Sequence, residues 1–116
     1  AVPRARMVEL VDGIGAIATK HDLQIPCPGH AGDGNLHPTV IFERGNEASE
    51  RKAVAAFGEV MELALSLGGT ITGEHGVGVL KSAYLAKEVG PTSVRIQREL
   101  RRVFDPQGIL NPGRVL

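Results

Sequence analysis

The sequence has little of what usually gives a function away. It has one cysteine, Cys27, in 116 residues, which excludes an internal disulfide and a four-cysteine zinc site and sets a reducing compartment as the expectation. It has no tryptophan and only 3% aromatic residues, so stacking on bases or sugars is poorly supplied. Neither charge is in excess: 13 Lys+Arg stand against 13 Asp+Glu, whereas nucleic-acid binding needs a positive surplus. No apolar run approaches the roughly 18 residues of a membrane span. No charged-then-apolar leader opens the chain, and a cytoplasmic setting is expected. What remains is a globular composition, 42% hydrophobic and 22% charged, of a length for one domain.

Glycine is what the chain does have. There are 15 glycines, about twice the usual frequency. They gather in two loops that also hold three of the four histidines.

Around those loops the hydrophobic spacing predicts an α+β fold. Residues 4–20 read as an amphipathic helix with Met7, Leu10, Val11, Ile14 and Ile17 on one face; Pro3 suits its start. Gly13 and Gly15 each cost about 1 kcal/mol there, so tertiary packing must hold it. Residues 23–28 are extended, with two prolines confining them to an edge, and residues 37–42 read as a strand. Asn46 caps a second helix over 47–67, with Val54, Phe57, Met61, Ala64 and Leu65 inward and Gly68-Gly69 ending it. Residues 70–72 suggest a short strand. A short helix over 79–87 and a last one over 91–103 follow, the latter begun by Gly90-Pro91 and turning Ile96, Leu100 and Val103 inward. Asp105-Pro106 stops it. The order α-β-β-α-β matches a ferredoxin-like antiparallel sheet, with helices packed on one face and the first strand missing. A helical tail completes it. A piece of a longer protein is the expectation, with an intact α+β domain as the alternative.

The first loop runs His30-Ala31-Gly32-Asp33-Gly34-Asn35-Leu36-His37. If Asp33-Gly34 is a two-residue turn, residue 30 pairs with 37 and the histidines become direct cross-strand partners, with Cβ atoms about 4.5–5.5 Å apart. Two such imidazoles can share a divalent metal. The second loop, Gly73-Glu74-His75-Gly76, offers Glu74 as a third ligand. Three protein ligands with an open position describe a catalytic rather than a closed structural site. The same residues also suit a solvated or hydrogen-bonded histidine pair. The glycine run 73–78 matches neither a dinucleotide fingerprint nor a P-loop. His21, at a helix end, reads as solvated or as a partner of the helix dipole. Cys27 reads as a small buried residue rather than a nucleophile.

Taken together, residues 29–37, the run Gly73-Glu74-His75-Gly76-Val77-Gly78 and the tail Phe104-Asp105-Pro106-Gln107-Gly108-Ile109-Leu110-Asn111-Pro112-Gly113 resemble the C-terminal domain of FAD-linked oxidases. These include the glycolate oxidase flavin subunit, D-lactate dehydrogenase and D-2-hydroxyglutarate dehydrogenase. The resemblance spans essentially the whole chain, with three motifs in order. It implies that residues 1–75 are part of a cap (substrate) domain. Residues 76–116 are then a helical return segment that touches FAD, most of which an absent N-terminal domain binds. It implies metal-ligand roles for His30, His37 and Glu74, general-base catalysis at His75, and a place beside the flavin for Asn111. Some relatives carry a substrate-holding Asn two residues beyond the second histidine; here that position is Thr39.

The implied reaction oxidises a small D-2-hydroxy acid to a 2-oxo acid. Zn²⁺ or Mn²⁺ would polarise the substrate hydroxyl, His75 would take its proton, and FAD would receive the hydride. The chain alone is expected to be inactive and, with its partner surface uncovered, prone to dimerise. The rival reading is a non-enzymatic ferredoxin-like metal-binding or oligomerisation module. An acyl hydrolase is disfavoured because no G-x-S-x-G elbow occurs.

Overall fold

A computed structural model describes residues 1–116. The chain forms two compact units, Ala1–Glu74 and His75–Leu116. The element order is α+β: a 3₁₀ turn at Arg4–Arg6 leading into α1 (Met7–His21), then β1 (Gly29–His30), β2 (Asn35–Leu36), α2 (Glu47–Ser66) and α3 (Ser82–Phe104). No helix is long and apolar enough to cross a membrane.

In the first unit α1 packs on α2. Leu10, Ile14 and Ile17 of α1 are buried, as are Ala53, Ala56, Val60, Met61 and Ala64 of α2. The stripe on α2 is therefore mostly small residues at positions 53, 56, 60 and 64. The expected Val54 is instead 72% exposed, and Val11 of α1 is also exposed. Small residues let helix backbones approach closely, and Gly13 is where this matters most. A Cβ there would strike Leu63 of α2. Gly15, on the open side, faces nothing within 4 Å.

The ends of α2 follow their capping chemistry. The Asn46 side chain accepts from Ala48 N and Ser49 N, satisfying donors that the first turn leaves orphaned. At the other end Gly68 N donates to Leu65 O and Gly69 N to Ala64 O, the two bonds of a Schellman cap with Gly68 left-handed at φ +72°.

The extended arms form one antiparallel ribbon longer than β1 and β2. His37 N donates to Pro28 O, Thr39 N to Pro26 O and Ile41 N to Gln24 O. Pro26 and Pro28 have no N–H to return, so the ladder is one-sided and only short stretches are regular strand. The residues expected as a third strand, 70–72, form no regular strand. Thr70 N donates to Ala1 O and the Ala1 amine to Thr70 O, and Ile71 is buried beside it.

In the second unit, a non-helical Gly90 (φ 78°, ψ 160°) divides α3 into two helices. This is the break expected at Gly90-Pro91. Leu85 and Val94 are the buried positions. The expected inward face is not buried: Ile96, Leu100 and Val103 are exposed, because the unit places no layer of its own over that stripe. Beyond α3, two side chains one turn apart shape the tail. The buried Asp105 carboxylate accepts from Ile109 N and Leu110 N. The Arg101 guanidinium donates to the carbonyls of Leu110, Asn111, Arg114 and Leu116. Five donors in a rigid fork suit such a bundle of carbonyls.

Candidate metal centre

The loop between the arms is four residues long, Ala31–Gly34, rather than the expected two-residue turn at Asp33-Gly34. Gly29 pairs with Leu36 and His30 with Asn35. A two-residue turn of the expected kind needs positive φ at both central positions, and only Gly34 has it, at +73°. Asp33 N instead closes a turn on His30 O at 3.0 Å. Gly34 is tied down as well. Its carbonyl accepts from Val2 N, and a Cβ on it would collide with the Val2 carbonyl.

The register thus differs from the expected one by two residues, and two is the side-chain period of a strand. An even shift leaves every side chain on its face. His30 and His37 stay on the same face, as diagonal rather than direct neighbours. Diagonal Cβ atoms lie about 7–8 Å apart, within reach of long side chains. The rings close the gap, with centroids 5.3 Å apart and planes at 85°.

Glu74 joins them from the far end of the unit. Its Oε1 lies 3.2 Å from His37 Nε2 and 3.8 Å from His30 Nε2. The three ligand atoms fall within 4.8 Å of one another. Ligands of a tetrahedral ion bonded at about 2.0–2.1 Å are separated by about 3.4 Å along each edge. Two of the three edges thus already bracket that length, and two imidazoles with a carboxylate are a suitable donor set for Zn²⁺ or Mn²⁺. His37 is the most sheltered, its side chain 24% exposed; His30 and Glu74 are about half exposed. The cluster is therefore shallow and open to solvent.

His75 follows Glu74 in the chain, is exposed, and opens the second unit. Asn111 belongs to that unit's tail. It has a left-handed φ of 46°, its side chain is exposed, and its carbonyl is one of the four that Arg101 gathers. His21 is not solvated: its Nε2 lies 2.9 Å from Glu59 Oε1, and Lys20 Nζ donates to the same oxygen at 2.7 Å. The Lys20 ammonium, then His21, hold the Glu59 carboxyl below its ordinary range. Cys27 is half-buried, and burial raises its thiol pKa, the opposite of what a nucleophile needs.

Asn35, inside the first glycine-rich loop, carries no sequence signal of a role of its own. It is one of two buried polar residues, and its place opposite His30 and two before His37 was readable once the register was known.

The family model described as FAD linked oxidases, C-terminal domain, matches residues 1–115; the chain belongs to that family. Among curated relatives it is similar to the glycolate oxidase subunit GlcD of Bacillus subtilis (strain 168), 45% identical over 114 residues, which are 98% of this chain and 24% of the relative. It is 39% identical over 115 residues to a D-lactate dehydrogenase of Anaerostipes hadrus, again 98% and 24%. It is 36% identical over 116 residues to a probable mitochondrial D-lactate dehydrogenase of Danio rerio, 99% and 23%. The chain spans about a quarter of the length of these relatives.

Proposed function

We propose that the chain is the metal-holding, substrate-facing part of an FAD-dependent oxidoreductase that converts a small D-2-hydroxy acid, such as glycolate or D-lactate, to the 2-oxo acid. The observation that carries this is the convergence of His30, His37 and Glu74 in a chain of this family. Residues 1–75 belong to the cap domain and 76–116 to the return segment. An N-terminal domain of the intact protein supplies most of the FAD site.

His30, His37 and Glu74 would hold Zn²⁺ or Mn²⁺, which when bound polarises a hydroxyl and lowers its pKa. Two neutral imidazoles and one carboxylate leave a divalent ion with a net charge of +1, which favours a carboxylate substrate. His75 accepts the proton of the 2-hydroxyl, imidazole being the side chain most often used for proton transfer. FAD, when bound, would supply the acceptor for the Cα hydrogen and its electron pair. The substrate would lose one proton and one hydride, its C–O single bond becoming a carbonyl. Asn111 sits in the tail that this reading places against the flavin. The chain alone lacks the flavin site and is inactive in this reading.

The test is substrate turnover by the intact protein carrying His75→Asn. The expected result is loss of D-lactate and glycolate oxidation with metal content unchanged. Retained turnover, or metal lost in step with activity, contradicts the separate roles.

A further inference from the structure

We infer that Asn35 is a positioning residue that sets Glu74 against the two histidines. The inference rests on the metal-site reading above.

Asn35 touches every part of the cluster's scaffold. Its backbone pairs with His30. It stands two residues before His37 on the same strand, and therefore on the same face. Its side chain, in a residue only 8% exposed, lies against Gly73, the residue before Glu74. A Cβ at Gly73 would collide with Asn35 Oδ1, and the nearest three atoms it would meet all belong to the Asn35 amide. No other group comes as near. Gly73 is not at positive φ, so its backbone conformation would accept any residue. The Asn35 amide occupies the space that a side chain at Gly73 would need, so any substituent there must displace it.

The rest of the loop is anchored further back, by the Thr70–Ala1 pairing and the burial of Ile71. The Thr72 hydroxyl adds nothing, since it is buried with no hydrogen-bond partner. The contact between Asn35 and Gly73 thus joins the histidine ribbon to the peptide from which Glu74 projects. Groups that orient metal ligands from behind commonly change metal affinity by 10–100-fold when removed.

The test is Zn²⁺ affinity of the intact protein, by competition with a chromophoric chelator, for Asn35→Ala, Gly73→Ala and the double variant. The visible spectrum of the Co²⁺-loaded protein is read alongside. Each single variant is expected to weaken Zn²⁺ binding by about 10–100-fold and to shift the Co²⁺ bands of the still-folded protein. The double variant should lose no more than the worse single one, because alanine at 35 makes room for the new Cβ. A residue that serves folding alone would lower the melting temperature and leave the bands of the saturated protein in place. Wild-type affinity and bands in Asn35→Ala, or additive losses in the double variant, overturn the inference. Should Asn35→Ala not fold, Gly73→Ala decides by the same titration. Failure of the wild-type protein to bind Zn²⁺, or binding that survives Glu74→Ala, instead overturns the metal-site reading itself.

Discussion

His37 and Glu74 are 37 positions apart in the chain, yet Nε2 of one stands 3.2 Å from Oε1 of the other. The ribbon of residues 24–41 delivers the histidine, and the loop leaving α2 delivers the carboxylate.

The two glycines of α1 should respond differently to alanine. Gly15→Ala meets nothing and should stabilise the first unit by about 0.5–1 kcal/mol, the difference in helix propensity. Gly13→Ala makes the same propensity gain but drives a Cβ into the end of the half-buried Leu63 side chain, and displacing that side chain should cancel or outweigh the gain. Thermal or urea unfolding checks both, and equal effects would show that the α1–α2 contact is not at Gly13.

Glu59 should give the protein an acid-sensitive tie. Lys20 and His21 lower its folded pKa below the ordinary value of 4.5. The stabilisation is therefore fully present above that ordinary value and is lost as pH falls through the lower folded one. Glu59→Gln should lower the melting temperature near neutral pH, with the gap to wild type closing at low pH. A gap independent of pH would contradict the ion-pair origin.

Thr72→Val removes a buried hydroxyl that has no partner while keeping its shape. The expected outcome is neutral to stabilising by about 1 kcal/mol, because an unsatisfied buried donor is a liability. A loss larger than this in urea unfolding would mean that the hydroxyl has a partner in solution.

Arg101→Lys should release the tail. One ammonium has three donors and no fork, so it cannot hold the four carbonyls that Arg101 spans. Amide hydrogen exchange over residues 108–116 should speed up, with α1 and α2 unaffected.

How far the sequence could be read follows from which signals were local. The caps of α2 were legible because Asn46 and Gly68-Gly69 act within a turn of themselves. The break at Gly90 was legible for the same reason. The hairpin register was not: Gly34 is held by Val2, a partner 32 residues away that no turn rule includes. The histidine pair survived that misreading because a shift of two preserves the face. The buried stripe of α2 was legible at Met61 and Ala64 but not at Ala53 and Ala56, which look unremarkable until packed on α1, while Val54 looks like core and is not. The exposed Ile96, Leu100 and Val103 carry a helical period that states only that a face is apolar, not what lies over it. Asn35 was overlooked because its partner, Gly73, bears no side chain to signal the contact.

The most direct measurement is anomalous X-ray diffraction at the zinc absorption edge from crystals of the intact protein grown with Zn²⁺. The account predicts one strong peak bonded to Nε2 of His30, Nε2 of His37 and a Glu74 carboxylate oxygen, at about 2.0–2.2 Å from each. A peak held by other residues, or three well-ordered side chains with no peak between them, contradicts it.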